Sequence, residues 1–180
     1  AEQLAQKYKA LVSIGLGHAE SLPFPDASFD VVFFFESSCH FENRQQFFNE
    51  VYRVLKPGGR VAGEDWLASD LSDCEAKQTW IEPICKTWAI PMLGDPAEYL
   101  RLMETARLID IKLADMKTML PLDKGFAVSE QDQLSLQKEI QQCPNPLLRL
   151  TLQGLLNLGR AMAAGAFTIG QFSASKPVDE

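Results

Sequence analysis

Three short stretches of this chain put reactive side chains close together. In Glu36-Ser37-Ser38-Cys39-His40, a carboxylate, hydroxyls, a thiol and an imidazole share one pentapeptide. An imidazole with an ordinary pKa near 6.5 can take a proton from a hydroxyl at neutral pH, which makes His40 the candidate general base. Asp65, in Glu64-Asp65-Trp66, could orient that imidazole or bind the reacting hydroxyl. The third stretch, Gly17-His18-Ala19-Glu20, holds the second histidine, whose neutral ring can accept one hydrogen bond. Each residue also has a plainer reading: His40 as a helix-entry residue over aromatic neighbours, Asp65 as a turn cap, His18 as a solvent-facing side chain. The cysteines at 39, 74, 85 and 143 form no Cys-x-x-Cys pair and have no histidine at ligand spacing, so neither a metal centre nor a redox dithiol is expected.

For these stretches to cooperate, strands must bring them to one place. In open α/β sheets, ligands sit at the carboxyl ends of strands, and all three stretches are expected there. Leu11 to Gly17 reads as a short buried strand. The turn-rich Ser21 to Ser28 introduces Phe29-Asp30-Val31-Val32-Phe33-Phe34-Phe35, whose unbroken apolarity is the pattern of a central strand buried on both faces. Phe41 to Leu55 carries Phe47, Phe48, Val51, Val54 and Leu55 at helical spacing, and Lys56-Pro57-Gly58-Gly59 ends that helix. Arg60 to Trp66 resumes as a strand, so strand, helix and strand form an α/β crossover.

Further along, Leu67 to Asp95 is irregular, with Trp80, Trp88 and prolines at 83 and 91, and reads as an insertion containing a helix. Pro96 to Leu108 is a helix capped by Asp95. Ile109 to Asp115 is a strand, Ser129 to Ala164 is helical with a break at Pro144-Asn145-Pro146, and Ala166 to Ser175 is a last β segment. Glu2 to Lys9 has helix-forming composition. Trp66, Trp80 and Trp88 could wall an apolar pocket or simply fill a core.

Size and charge narrow the possibilities. The 180 residues, 46% hydrophobic, suit one domain, and a net charge of −7 disfavours a nucleic-acid partner held through its phosphates. No stretch has the roughly 20 apolar residues of a membrane span, and the start lacks a secretory pattern, so a cytoplasmic location is the default expectation. Gly15-Leu16-Gly17 is not a dinucleotide fingerprint, because Glu20 stands where the third glycine would be.

Taken in order, His18-Ala19-Glu20-Ser21-Leu22-Pro23-Phe24, Phe29-Asp30-Val31-Val32, Glu36-Ser37-x-x-His40 and Arg53-Val54-Leu55-Lys56-Pro57-Gly58-Gly59-Arg60 resemble the second half of a class I S-adenosylmethionine-dependent methyltransferase. The nearest group is that acting on small molecules: tocopherols, sterols, sugars, and polyketide or peptide intermediates. Glu64-Asp65-Trp66 and the closing Ser173-Ala174-Ser175-Lys176-Pro177 fit the same placement. The resemblance covers nearly all of this chain but part of the family's domain. Its first strand, with the glycine-rich turn, has no counterpart here.

The resemblance implies an α/β, Rossmann-like methyltransferase sheet over residues 1–180, incomplete at its N-terminus. Helical regions at 67–95 and 116–165 would form a cap over the acceptor. It implies S-adenosylmethionine as cofactor, with S-adenosylhomocysteine as product, and a small-molecule acceptor as partner. His18 occupies the position where the family has an acid facing the adenine amine, and the Ala19 backbone would contact a ring nitrogen. Glu36 and Ser37 would line the methionine and sulfonium side, where a carboxylate favours a cation. His40 and Asp65 would be the catalytic pair for a hydroxyl acceptor, with in-line positioning contributing alongside proton removal. Carbon or nitrogen methylation and a non-catalytic scaffold of the same fold are the alternatives, with a nucleotide-dependent oxidoreductase a distant third.

Overall fold

The computed structural model describes residue 7 and residues 11–116 and 129–179. The helix expected over Glu2 to Lys9 lies, apart from Lys7, outside the described residues. Four strands, β1 (Phe29–Phe35), β2 (Leu55–Ala68), β3 (Ile109–Asp115) and β4 (Phe167–Ser175), form one mixed sheet in the order β1-β2-β4-β3. β1 and β2 are parallel, while β4 runs antiparallel to both β2 and β3.

The crossover from β1 to β2 is α1 (Arg44–Val54). Asn43 starts it, its side-chain oxygen accepting from the Gln46 N–H, and a Phe47, Phe48, Val51 stripe turns toward the sheet. At the other end, Lys176 donates to the carbonyls of Tyr52 and Leu55, a cation placed against the negative end of the helix dipole. Lys56, just past the helix, pairs with Asp30. Gly58 follows in the left-handed region that favours glycine.

α1 and a second long helix cover one face of the sheet. The core between them joins Phe34, Val61, Leu67 and Phe172 of the strands to Phe47, Phe48, Val51, Tyr99 and Met103 of the helices. Gly63 belongs to this layer. A Cβ added there would lie 2.4 Å from the Phe34 ring, which Phe47, Phe48 and Phe172 hold in place. Gly63→Ala is therefore expected to cost about 1–3 kcal/mol, read as a lowered urea midpoint.

The opposite face of the sheet is open at β1. Strand alternation directs Val31, Phe33 and Phe35 away from α1, and they are 50%, 70% and 63% exposed. The expectation of a central strand is thus corrected: β1 is an edge strand whose one hydrogen-bonded neighbour among the described residues is β2. Its sequence suits burial on both faces, and only one is covered. The expected strand at Leu11 to Gly17 is also absent, since that stretch joins no ladder and its apolar side chains are exposed.

The insertion after β2 holds a short helical turn, Cys74–Ala76, a π-helical turn, Lys77–Ile81, and α2 (Glu82–Trp88). Next come α3 (Pro96–Thr105), the second helix on the sheet, capped by Asp95, and then β3, α4 (Glu130–Gln142) and α5 (Pro146–Ala163). A second apolar cluster unites Ile81, Ile84 and Cys85 with Ala161 of α5 and Phe167 of β4. Trp66, Trp80 and Trp88 pack against it, so these tryptophans pack against a core rather than wall a pocket.

One polar tie fixes the turn before β1. The Glu50 carboxylate accepts from Arg53 and from the Leu22 N–H, and Arg53 also reaches the carbonyls of Leu22 and Phe24. The Arg53 guanidinium, first among the causes, holds the Glu50 carboxyl below the usual carboxylate range. Because the folded value is depressed, this stabilisation is present above the ordinary glutamate pKa and is lost as pH falls through the folded one. Glu50→Gln should cost about 1–2 kcal/mol at neutral pH and flatten the acid limb of a stability profile below roughly pH 4.5.

Candidate functional site

β1 delivers Glu36, Ser37 and His40 to its carboxyl end. The Glu36 N–H donates to the Glu64 carbonyl, continuing the parallel ladder by one step, and the chain then leaves the sheet. Glu36 turns in the left-handed region, at φ 42°. For a residue with a Cβ this costs on the order of 1–2 kcal/mol, and such strain concentrates where geometry serves a site. A single 3-10 turn, Ser38–His40, follows before α1 begins. Glu36 and His40 are exposed and Ser37 half-buried. None of the three side chains has a hydrogen-bond or ion-pair partner among the described residues.

The turn carrying His18 and Ala19 comes close to the same place. Ser21 N–H donates to the His18 carbonyl, Glu20 N–H donates to His18 Nδ1 at 3.3 Å, and the Glu20 carboxylate accepts from the Asn43 N–H, three residues beyond His40. His18 is exposed, while Ala19 is half-buried against the main core. Two of the three expected stretches are therefore neighbours.

Asp65 is placed differently from expectation. It is fully buried, on the helix-covered side of β2. One carboxylate oxygen accepts from Ser38 Oγ at 2.5 Å and the Cys39 N–H at 2.9 Å; the other accepts from the Trp66 N–H at 2.9 Å. Ser38 Oγ also meets the Tyr99 hydroxyl at 3.0 Å. The reading of Asp65 as the partner of the His40 imidazole or of an acceptor hydroxyl is corrected: its bonds hold the turn that carries His40. The β2 pleat decides this, because odd-numbered residues there face the core.

Ser38 and Tyr99 were missed as site residues. The signal for Tyr99 was its place on the apolar stripe of a helix, where a buried phenol needs a polar partner. Burial, and secondarily Asp65, push the Cys39 thiol far up, and burial does the same for the Tyr99 phenol. Both stay protonated, so Cys39 is no nucleophile.

Two surface clefts lie elsewhere. One of about 320 Å³ is lined by Tyr52, Arg53, Arg107 and Lys176 at the opposite end of the sheet, and one of about 570 Å³ by Val31, Arg60, Ala62 and Lys112 along it. Among the described residues no group of His, Cys, Asp and Glu could hold a metal ion.

Residues 1–63 match the family model described as "Methyltransferase domain". The chain is 36% identical over 120 residues to the chloroplastic tocopherol O-methyltransferase of Arabidopsis thaliana, covering 64% of this chain and 33% of that protein. Among solved structures, it superposes on a protein assigned as a sarcosine dimethylglycine methyltransferase of Galdieria sulphuraria with a TM-score of 0.75 at 20% identity, over 98% of this chain and 64% of that one. It superposes also on phosphoethanolamine N-methyltransferase 2 of Haemonchus contortus, solved with phosphomonomethylethanolamine and S-adenosylhomocysteine: TM-score 0.69, 21% identity, 98% of this chain and 40% of that one. The chain thus spans about a third of the curated relative's length.

Proposed function

We propose, from the premise that this chain belongs to the class I S-adenosylmethionine-dependent methyltransferases, that it serves methyl transfer to a hydroxyl of an apolar small molecule, such as a polyketide or peptide natural-product intermediate. The observation that supports this best is the strained end of β1. There, three polar side chains with no partner among the described residues stand together, and the His18–Ala19 turn is tied in beside them by Glu20 and Asn43.

That donor set fits the cofactor's chemistry. The Glu36 carboxylate suits a group carrying positive charge, and Ser37 can donate or accept beside it. His18, with Nδ1 accepting from the Glu20 N–H, carries its ring proton on Nε2 and so can donate to an adenine ring nitrogen rather than accept from the adenine amine, next to the Ala19 backbone. When bound, S-adenosylmethionine supplies an electrophilic methyl group.

The protein's own part is to hold the acceptor in line and to remove its proton. The His40 imidazole, exposed and without a partner among the described residues, takes that proton. Asp65 does not touch the acceptor. It positions His40 through Ser38 and the Cys39 N–H, so that the base stays aligned without spending its own hydrogen bonds.

A nitrogen acceptor is the second reading, favoured by the likeness to a phosphoethanolamine N-methyltransferase. Supplying the full-length protein with radiolabelled methyl donor and paired phenols and amines of equal apolar bulk separates the two. Label in the ether product supports the hydroxyl reading; label only in the amine product overturns it.

A further inference from the structure

The cleft of about 320 Å³ at the end of the sheet away from His40 gathers positive charge on a chain of net charge −7. Its lining carries three cations, Arg53, Arg107 and Lys176, against one carboxylate, Asp26, which Arg53 engages. Arg53 spends its guanidinium on Glu50, Asp26 and the carbonyls of Leu22 and Phe24, so it closes one wall. Arg107 and Lys176 meet over a single ring instead: the guanidinium carbon lies 4.9 Å and the ammonium 4.5 Å from the centroid of Tyr52. Like charges held within a Debye length of each other, about 10 Å, repel, and a shared anion offsets that repulsion.

The backbone is strained to put Arg107 there. It is the first residue past the Ala106 cap of α3 and stands at φ 65°, the left-handed position that helices ordinarily give to glycine. A side chain kept at that cost points to a task glycine could not perform. Burial first, and then Arg107 against the opposing pull of Asp26, push the Lys176 ammonium below the usual lysine range, and a bound anion would relieve this.

Neutral donors stand beside the cations. Asn49 accepts from Gln45 through its side-chain oxygen, which leaves its amide N–H groups to donate, and the Thr105 hydroxyl has no partner among the described residues. Lys176 directs two N–H groups to the Tyr52 and Leu55 carbonyls and has a third. Cations and neutral donors around a small cleft form the donor set of a tetrahedral oxyanion, and the volume lies at the lower end for a small-molecule site.

We propose that this cleft binds a phosphate group, with Arg107 and Lys176 supplying the charge and Asn49 and Thr105 the neutral donors. The site goes beyond the methyl-transfer reading and does not depend on it.

The test is calorimetric titration of the full-length protein with inorganic phosphate, and with glycerol 3-phosphate, at constant ionic strength in chloride. The wild type should bind both saturably; tighter binding of the ester marks an esterified ligand, and equal binding marks the free ion. Arg107→Gly, which gives the left-handed position its ordinary residue, should keep the thermal midpoint yet weaken phosphate binding roughly tenfold or more. Thr105→Val removes only a hydroxyl and should weaken binding severalfold; it carries the comparison if glycine loosens the end of α3. Lys112→Gln removes a cation outside the cleft and should change nothing. The phosphate result stands whether or not S-adenosylhomocysteine binds, so failure here is separate from failure of the enzyme reading. No saturable binding by the wild type, binding untouched by both Arg107→Gly and Thr105→Val, or equal weakening by Lys112→Gln overturns the proposal. So does displacement of phosphate by S-adenosylhomocysteine, which would assign the anion to the cofactor site.

Discussion

Asp65→Ala should destabilise the fold by about 3–5 kcal/mol. The reason is the number of groups that share one carboxylate. Ser38 Oγ, the Cys39 N–H and the Trp66 N–H all donate to it inside the core, and all three would lose their acceptor at once. Tyr99→Phe removes only the outermost hydroxyl of the network and should cost about 1 kcal/mol. Urea unfolding followed by tryptophan fluorescence checks both, and an Asp65→Ala loss under 1 kcal/mol would contradict the positioning role. Asp65→Asn keeps the shape but turns donors toward donors, so it should fall between the two.

The second large effect is on rate. His40→Ala in the full-length enzyme should lower kcat for a hydroxyl acceptor by about two orders of magnitude or more, with S-adenosylhomocysteine affinity little changed. His40 is exposed and makes no side-chain bond among the described residues, so thermal unfolding should not move. That separates it from Asp65→Ala, which should lower stability and activity together. An unchanged kcat in His40→Ala would remove the base from the mechanism and leave positioning to account for the catalysis.

The order of elements was legible from the sequence because each signal was local. Asp95 before Pro96 marks the start of α3, and Pro144-Asn145-Pro146 separates α4 from α5, with the Asn145 side chain capping the latter. What could not be read locally was which neighbours a strand has. Phe29 to Phe35 has the composition of a strand buried on both faces, yet composition does not reveal whether the second face is covered, and here Phe33 and Phe35 face outward. Leu11 to Gly17 is apolar enough for a strand, but a strand needs a partner ladder, and it finds none among the described residues.

The site divided along the same line. Glu36, Ser37 and His40 were identifiable because they sit in one pentapeptide at a strand end, and the structure keeps them together. Asp65 stood out at a strand end, but the direction of its side chain could not be read there, because a one-residue difference in the β2 pleat decides between facing a site and facing the core. Ser38 was hidden inside the motif that named its neighbours, and its link to Tyr99 spans the interval from the turn after β1 to α3, a pairing that only the fold brings about.

The measurement that bears most directly on the central claim is calorimetric titration of the full-length protein with S-adenosylhomocysteine, wild type beside Glu36→Ala. If the end of β1 holds the adenosyl cofactor, the wild type binds and Glu36→Ala binds at least about tenfold more weakly, a loss of about 1.4 kcal/mol. No binding by the wild type, or equal binding by both proteins, would contradict it.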